Sequence, residues 1–246
     1  MPTDAPRPPI WARPEPSARA PRFSRERIAA AALEIADAEG IAAVSMRNVA
    51  ARLGAGTMTL YNYVETKDEL FALMDDALMA EAVVPADELP AGWREATAEI
   101  ARRTWTVLTR HPWAITVGQG PAIGPNAMLH FEQSLAALAG TGLDNAAKLD
   151  LLAIVDAYVF GSALRAADAR GRGETDPAEV EAIVAYGMRQ LHTGRFPHTA
   201  ALLGGRDPRD AEVAGPPVDE AGVAAQFERG LQAVLDGVAA RIMFGV

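Results

Sequence analysis

The chain has no cysteine, which excludes disulfides, thiolate catalysis and cysteine-ligated metals. Aromatic residues are scarce at 6%, while half of the 246 residues are hydrophobic and alanine is prominent. That balance favours helices, because alanine is the best helix former and strands draw on β-branched and aromatic side chains. No apolar run reaches membrane-spanning length. The best candidate, "LLAIVDAYVFGSAL", carries Asp156 in its middle. The opening "MPTDAPRPPIWARPEPSARAPRF" has no apolar core of the signal-peptide kind. These absences point to a soluble, cytoplasmic protein with no membrane partner.

Net positive charge is also missing. The formal charge is −9, and over residues 23–75 five basic side chains stand against eight acidic ones. Bulk charge therefore gives no support to a nucleic-acid partner. If DNA is bound, the few cations must be well placed.

What the chain does contain is a succession of helical signals. Residues 1–22 are rich in proline and arginine and read as a disordered arm. Ser24 is suited to cap a helix with Ile28, Ala31, Ala32, Ile35 and Ala38 on one stripe, ended by Gly40. Ser45 caps "MRNVAARL", with Val44 and Val49 spaced as a hydrophobic staple. After "GAG" comes "TMTLYNYV". Thr66 and Glu69 then form a capping box for a helix running to about Val84, and Pro85 to Pro90 mark a boundary. Further helices are expected over about 91–110, 126–139, 144–169, 177–192 and 219–244, with "GGRDPRDAEVAGPP" as loop. No strand-like alternation appears. The expected fold is all-α: an arm over 1–22, a helix-turn-helix domain over 23–84 and a larger helical domain over 90–246.

Two short helices, 46–53 and 57–64, joined by a three-residue glycine-containing turn have helix-turn-helix dimensions. Helical spacing turns Leu60 and Val64 inward. It leaves Thr57, Met58, Tyr61 and Asn62 together on the outside, on a helix short enough to enter a major groove. Thr57 and Asn62 can bond base edges, and Met58 can pack on a thymine methyl. Thr59, Tyr61, Tyr63 and Lys67 suit phosphate oxygens, and Arg47 can reach either. Spacing alone is equally compatible with a polar face turned to water.

The segment "FSRERIAAAALEIADAEGIAAVSMRNVAARLGAGTMTLYNYVETKDELFALM" resembles the DNA-binding domain of the tetracycline-repressor (TetR) family. The resemblance implies that Arg47, Thr57, Met58 and Asn62 sit at or near base-reading positions. It places Thr59, Tyr61, Tyr63 and Lys67 at phosphate-contacting ones. Val64 departs from the bulky aromatic often found at its position. A weaker resemblance, through "GPNAMLHFEQSLAALAGTGL", "YVFGSAL", "FPH" and "FERGLQAVLDGVAARI", extends to the family's effector-binding and dimerisation domain. It implies a homodimer formed through the helices at about 144–169 and 219–244.

The groups that hold tetracycline and its magnesium are absent. Val83 and Gly118 fall where the repressor has histidines, Ile100 where it has an amide and Arg165 where it has a carboxylate. The expected effector is therefore small and largely apolar, with no metal or cofactor. By the same registration Thr104, Phe131, Ser134, Tyr158, Ser162 and Arg165 are candidate ligand contacts. Trp105, Trp113 and Asp156 join them on their own chemistry. Both tryptophans equally suit a core, and His111 suits a helix C-terminus. Asp156 can pair across a dimer, line a pocket or face a water-filled gap.

The reading is a ligand-responsive repressor acting on an operator, not an enzyme. Two rivals stand beside it. One is a helical enzyme using His111, His130, Glu132 and Asp156, although the four histidines lack the spacing of a helical zinc site. The other is an interaction protein of this fold that has lost DNA binding.

Overall fold

A computed structural model describes residues 8–16, 23–115, 124–171, 176–206 and 220–244. Among them every regular element is helical. The helices are α1 (Arg25–Glu39), α2 (Met46–Arg52), α3 (Thr57–Tyr61), α4 (Lys67–Ala82), α5 (Trp93–Arg110), α6 (Pro125–Ala137), α7 (Asn145–Gly171), α8 (Pro177–His192), α9 (Pro197–Leu203) and α10 (Glu220–Phe244). Among the described residues, no helix is long and apolar enough to cross a membrane.

The helix starts follow local chemistry. Ser24, Ser45, Thr66, Asp144 and Asp176 each accept a hydrogen bond from a backbone amide two or three residues on. Such caps contribute about 1 kcal/mol each. The capping box at Thr66 is offset by one residue, because Glu69 Oε2 accepts from the amide of Glu65 at 2.8 Å. Gly40 ends α1 at φ +83°, a backbone region that favours glycine.

Two main cores form. In the first, Ile28, Ile35, Val44, Val49, Leu60, Val64, Leu70 and Met74 join α1 to α4. The second unites α5, α7 and α10 through Leu108, Leu151, Val159, Phe227, Leu231 and Leu235. A smaller cluster of Leu78, Ala82 and Val107 ties α4 to α5.

The structure corrects two expectations and adds one helix. The arm is not wholly disordered, since residues 10–12 form a 3₁₀ turn with Ile10 only 2% exposed in the first core. An additional short helix, α9, begins at Pro197, a residue suited to the first helical position. Helix α3 stops at Tyr61 rather than 64, and its end tightens as the Tyr63 amide takes the Leu60 carbonyl three residues back, an acceptor it shares with the Val64 amide. The proposed loop over 204–217 and the residue chosen to open the last helix, Asp219, fall largely outside the described residues, as does Gly118.

Candidate nucleic-acid interface

Helices α2 and α3 meet at a tight corner, where the Ala55 amide bonds the Ala50 carbonyl at 2.9 Å. Leu60 and Val64 are fully buried beneath it, alongside Val49 and Ala50. Burial of such side chains stabilises by about 1.5–3 kcal/mol each and sets which face of α3 points out. On that outer face Met58 is 77% and Tyr61 42% exposed. Asn62, Arg47 and Lys67 are also exposed, while Thr57 and Thr59 are partly so. A methionine left in water on so short a helix has no packing role within the chain.

Tyr63 differs from its expected outward placement. It is 8% exposed and belongs to the first core. The last turn after α3 tightens, with the Tyr63 amide on the Leu60 carbonyl at 2.9 Å, and Tyr63 joins the same core as Leu60 and Val64. Its carbonyl accepts from Arg25 Nε at 3.3 Å, so it anchors the corner.

Ion pairs answer the excess of acidic groups near this face. Arg52 reaches Glu34 at 3.1 Å and Glu39 at 3.5 Å on α1. Lys67 lies over the Phe71 ring, 5.0 Å from its centroid.

The candidate effector residues divide into several groups. Thr104 is buried, its Oγ1 3.0 Å from His130 Nε2, and Ser134 Oγ donates to the His130 carbonyl. Burial holds the His130 imidazole below its ordinary pKa, favouring the neutral ring. Trp105 stacks on Phe227 at 4.5 Å and Phe227 on Tyr158 at 5.8 Å. The Trp105 Nε1 donor is buried without a hydrogen-bond partner among the described residues. Tyr158 donates to the Phe227 carbonyl at 2.8 Å, which places it in the seam between α7 and α10 beside Ser162.

Phe131, Asp156 and Arg165 are exposed in the single chain. Desolvation by the surrounding protein nevertheless pushes the Asp156 carboxyl above its usual range. Trp113 is not with the others. Its Nε1 donates to Asp37 Oδ1 on α1 at 2.7 Å, and His111 Nδ1 lies 2.7 Å from the same oxygen. These two residues join α1 to the end of α5.

Sequence reasoning missed Asp76, which is 6% exposed on α4. Its Oδ1 accepts from the amides of Asn126 and Ala127 at 2.9 and 3.1 Å, and its Oδ2 accepts from Asn126 Nδ2. A carboxylate of α4 thus caps α6. Asp76 within "LFALMDDALMA" offered a signal, a carboxylate in an apolar helix, but its partners lie fifty residues away.

An apolar hollow of about 260 Å³ opens between α7 and α10, lined by Leu143, Leu151, Ile154, Val234, Val238 and Ile242 among others. None of the residues selected from sequence lines it. Among the described residues, no group of three or more His, Asp or Glu side chains could hold a metal ion.

The family model for bacterial regulatory proteins of the tetR family matches residues 28–74, and that for the tetracyclin repressor-like C-terminal domain matches residues 85–242. The HTH-type transcriptional repressor DrrR1 of Streptomyces coeruleorubidus is 38% identical over 223 residues, spanning 89% of this chain and 78% of that protein. An HTH-type transcriptional regulator of Saccharopolyspora erythraea is 34% identical over 233 residues, 94% and 91% of the respective chains. Apo ActR of Streptomyces coelicolor superposes with a TM-score of 0.70 at 27% identity, covering 93% of this chain and all of that one. ActR in complex with actinorhodin gives 0.68 at 28% identity, covering 91% and 99%. The chain belongs to the TetR family of bacterial regulatory proteins and is a ligand-responsive, DNA-binding transcriptional repressor.

Proposed function

We propose that this repressor works as a homodimer whose two α3 helices enter successive major grooves of a palindromic operator. Residues 23–84 read the DNA, and residues 90–246 dimerise and hold the effector. The observation that carries the reading is the division of α3 and the turn after it, with Leu60 and Val64 fully buried and Met58 and Tyr61 exposed opposite them. Arg47, Thr57, Met58 and Asn62 meet base edges, while Thr59, Tyr61 and Lys67 meet the backbone. Tyr63 is left out of the contacts because it is buried.

The dimer is supported by apolar side chains that the single chain leaves in water. Leu149, Ile154 and Leu164 on α7, Ile183 and Tyr186 on α8, and Leu202 on α9 are all exposed, and α8 buries no residue. A second copy through α7 and α10 covers such a surface.

The effector is small and largely apolar with carbonyl or other acceptor groups. The unpartnered Trp105 Nε1 beside an aromatic stack supports this, as does the actinorhodin complex of ActR. Effector binding favours a conformation whose helix spacing no longer fits the operator. As a regulator of DNA the protein acts in the cytoplasm and has no catalytic role.

The test is fluorescence anisotropy of labelled DNA from the protein's own promoter region, with wild type and a Tyr61→Ala, Lys67→Ala double variant at two salt concentrations. Tight wild-type binding that weakens with salt and is lost in the variant is expected. Equal binding by the variant overturns the contact assignment.

A further inference from the structure

Residues 8–16 are tied to the DNA-reading head at several points. Pro9 precedes a 3₁₀ turn closed by the Ala12 amide on the Pro9 carbonyl at 2.9 Å. Prolines at 8 and 9 reduce the freedom the unbound segment would lose on docking. Ile10 enters the first core, and Trp11 packs against that core. The ring of Trp11 also reaches the start of α6, since a Cβ placed on Gly124 would fall 2.6 Å from its Cζ2.

Arg25, at the start of α1 and 9% exposed, clamps the segment from the other side. Its amide donates to Glu15 at 2.8 Å and its Nη1 to the Arg13 carbonyl at 2.8 Å, while Nε donates to the Tyr63 carbonyl just after α3. The Arg13 side chain is thereby delivered to the corner between α3 and α4. There it pairs with Glu65, and its Nη2 lies 2.6 Å from Glu69 Oε1. Only 19% of the Arg13 side chain is exposed.

This location bears on DNA binding. Glu65 and Glu69 flank Lys67 and follow Tyr61, two of the three residues assigned to the DNA backbone. Two carboxylates there lie within a Debye length of approaching phosphates and oppose binding. The local surplus of acidic groups makes any cation spent on them valuable.

We propose that residues 8–16 form an intramolecular strap whose Arg13 neutralises Glu65 and Glu69 beside the DNA-reading face, so that the arm aids operator binding without touching DNA. Arg13 is then a positioning and charge-masking residue. The proposal rests on the DNA-contact reading above.

The test uses the full-length protein and a duplex recovered from random-sequence DNA by selection with wild type. Affinities are compared for wild type, Arg13→Gln, Glu65→Gln/Glu69→Gln and the triple variant at two salt concentrations. Glutamine keeps an acceptor for the Glu65 amide, and thermal melts show which variants are folded. Arg13→Gln is expected to weaken binding roughly three- to tenfold at low salt, and less at high salt. The triple variant should match Glu65→Gln/Glu69→Gln, with affinity restored at least to the wild-type level. A triple variant as weak as Arg13→Gln would mean that Arg13 meets DNA itself and would overturn masking. Wild-type affinity in Arg13→Gln overturns it too. Recovery of no duplex by wild type removes the DNA-contact reading and the strap's role together, a result distinct from the other two.

Discussion

Asp37 Oδ1 receives the indole N–H of Trp113 and lies 2.7 Å from His111 Nδ1, so one carboxylate oxygen on α1 holds two rings from the end of α5. His111 is 5% exposed, and its Nε2 lies 3.6 Å from Glu81 on α4. The contact joins the helix that supports the reading head to the helix that carries Thr104 and Trp105. Packed and hydrogen-bonded links of this kind are one route by which coupling between two sites is carried.

Replacing Asp37 by alanine removes the acceptor both rings use. A loss of about 1–3 kcal/mol in unfolding free energy is expected. Asp37→Asn, which keeps an oxygen acceptor, should lose less. Urea denaturation of the three proteins measures this; an Asp37→Ala midpoint equal to wild type would show that the junction contributes nothing.

Asp76 makes a second junction, capping α6 from α4. Asp76→Ala strips the partners from two backbone amides in a buried position and should cost about 1–2 kcal/mol. Gly124→Ala tests the same place from the opposite side. Its φ is −87°, so the backbone tolerates alanine, but the new Cβ would fall 2.1 Å from Asp76 Oδ1. Overpacking of about 1–3 kcal/mol is expected. Thermal unfolding of both variants decides; a Gly124→Ala protein as stable as wild type would mean that Asp76 and Trp11 move aside freely.

Between α5 and α10, Arg102 grips Glu228 through Nε at 2.9 Å and Nη2 at 2.6 Å. The hydrogen-bonded guanidinium holds the Glu228 carboxyl at about 2, against an ordinary 4.5. A depressed carboxylate stabilises fully above pH 4.5, and that contribution is lost as pH falls from about 4.5 to about 2. Both side chains are about 40% exposed, so solvent screening limits the effect to about 1 kcal/mol. Glu228→Gln should lower stability by that amount at pH 7, and the gap should close towards pH 2. A difference that persists undiminished at low pH would assign the loss to packing.

The sequence by itself determined where the side-chain-capped helices begin and which face of α3 is free. Ser24, Ser45, Thr66 and Asp176 act on amides two or three residues away, and Leu60 and Val64 share a side by local chain geometry. Chemistry of that range is written in consecutive residues, and so is the family likeness. Only the tertiary structure decided that Ile10 enters the first core, that Arg13 pairs with Glu65 and Glu69, and that Tyr63 turns inward. It alone brought Trp113 and His111 to Asp37, and Asp76 to the start of α6. Each of these depends on how separated segments pack against one another. The direction of a buried or paired side chain is set by a neighbour dozens of residues away, and no local pattern encodes that neighbour.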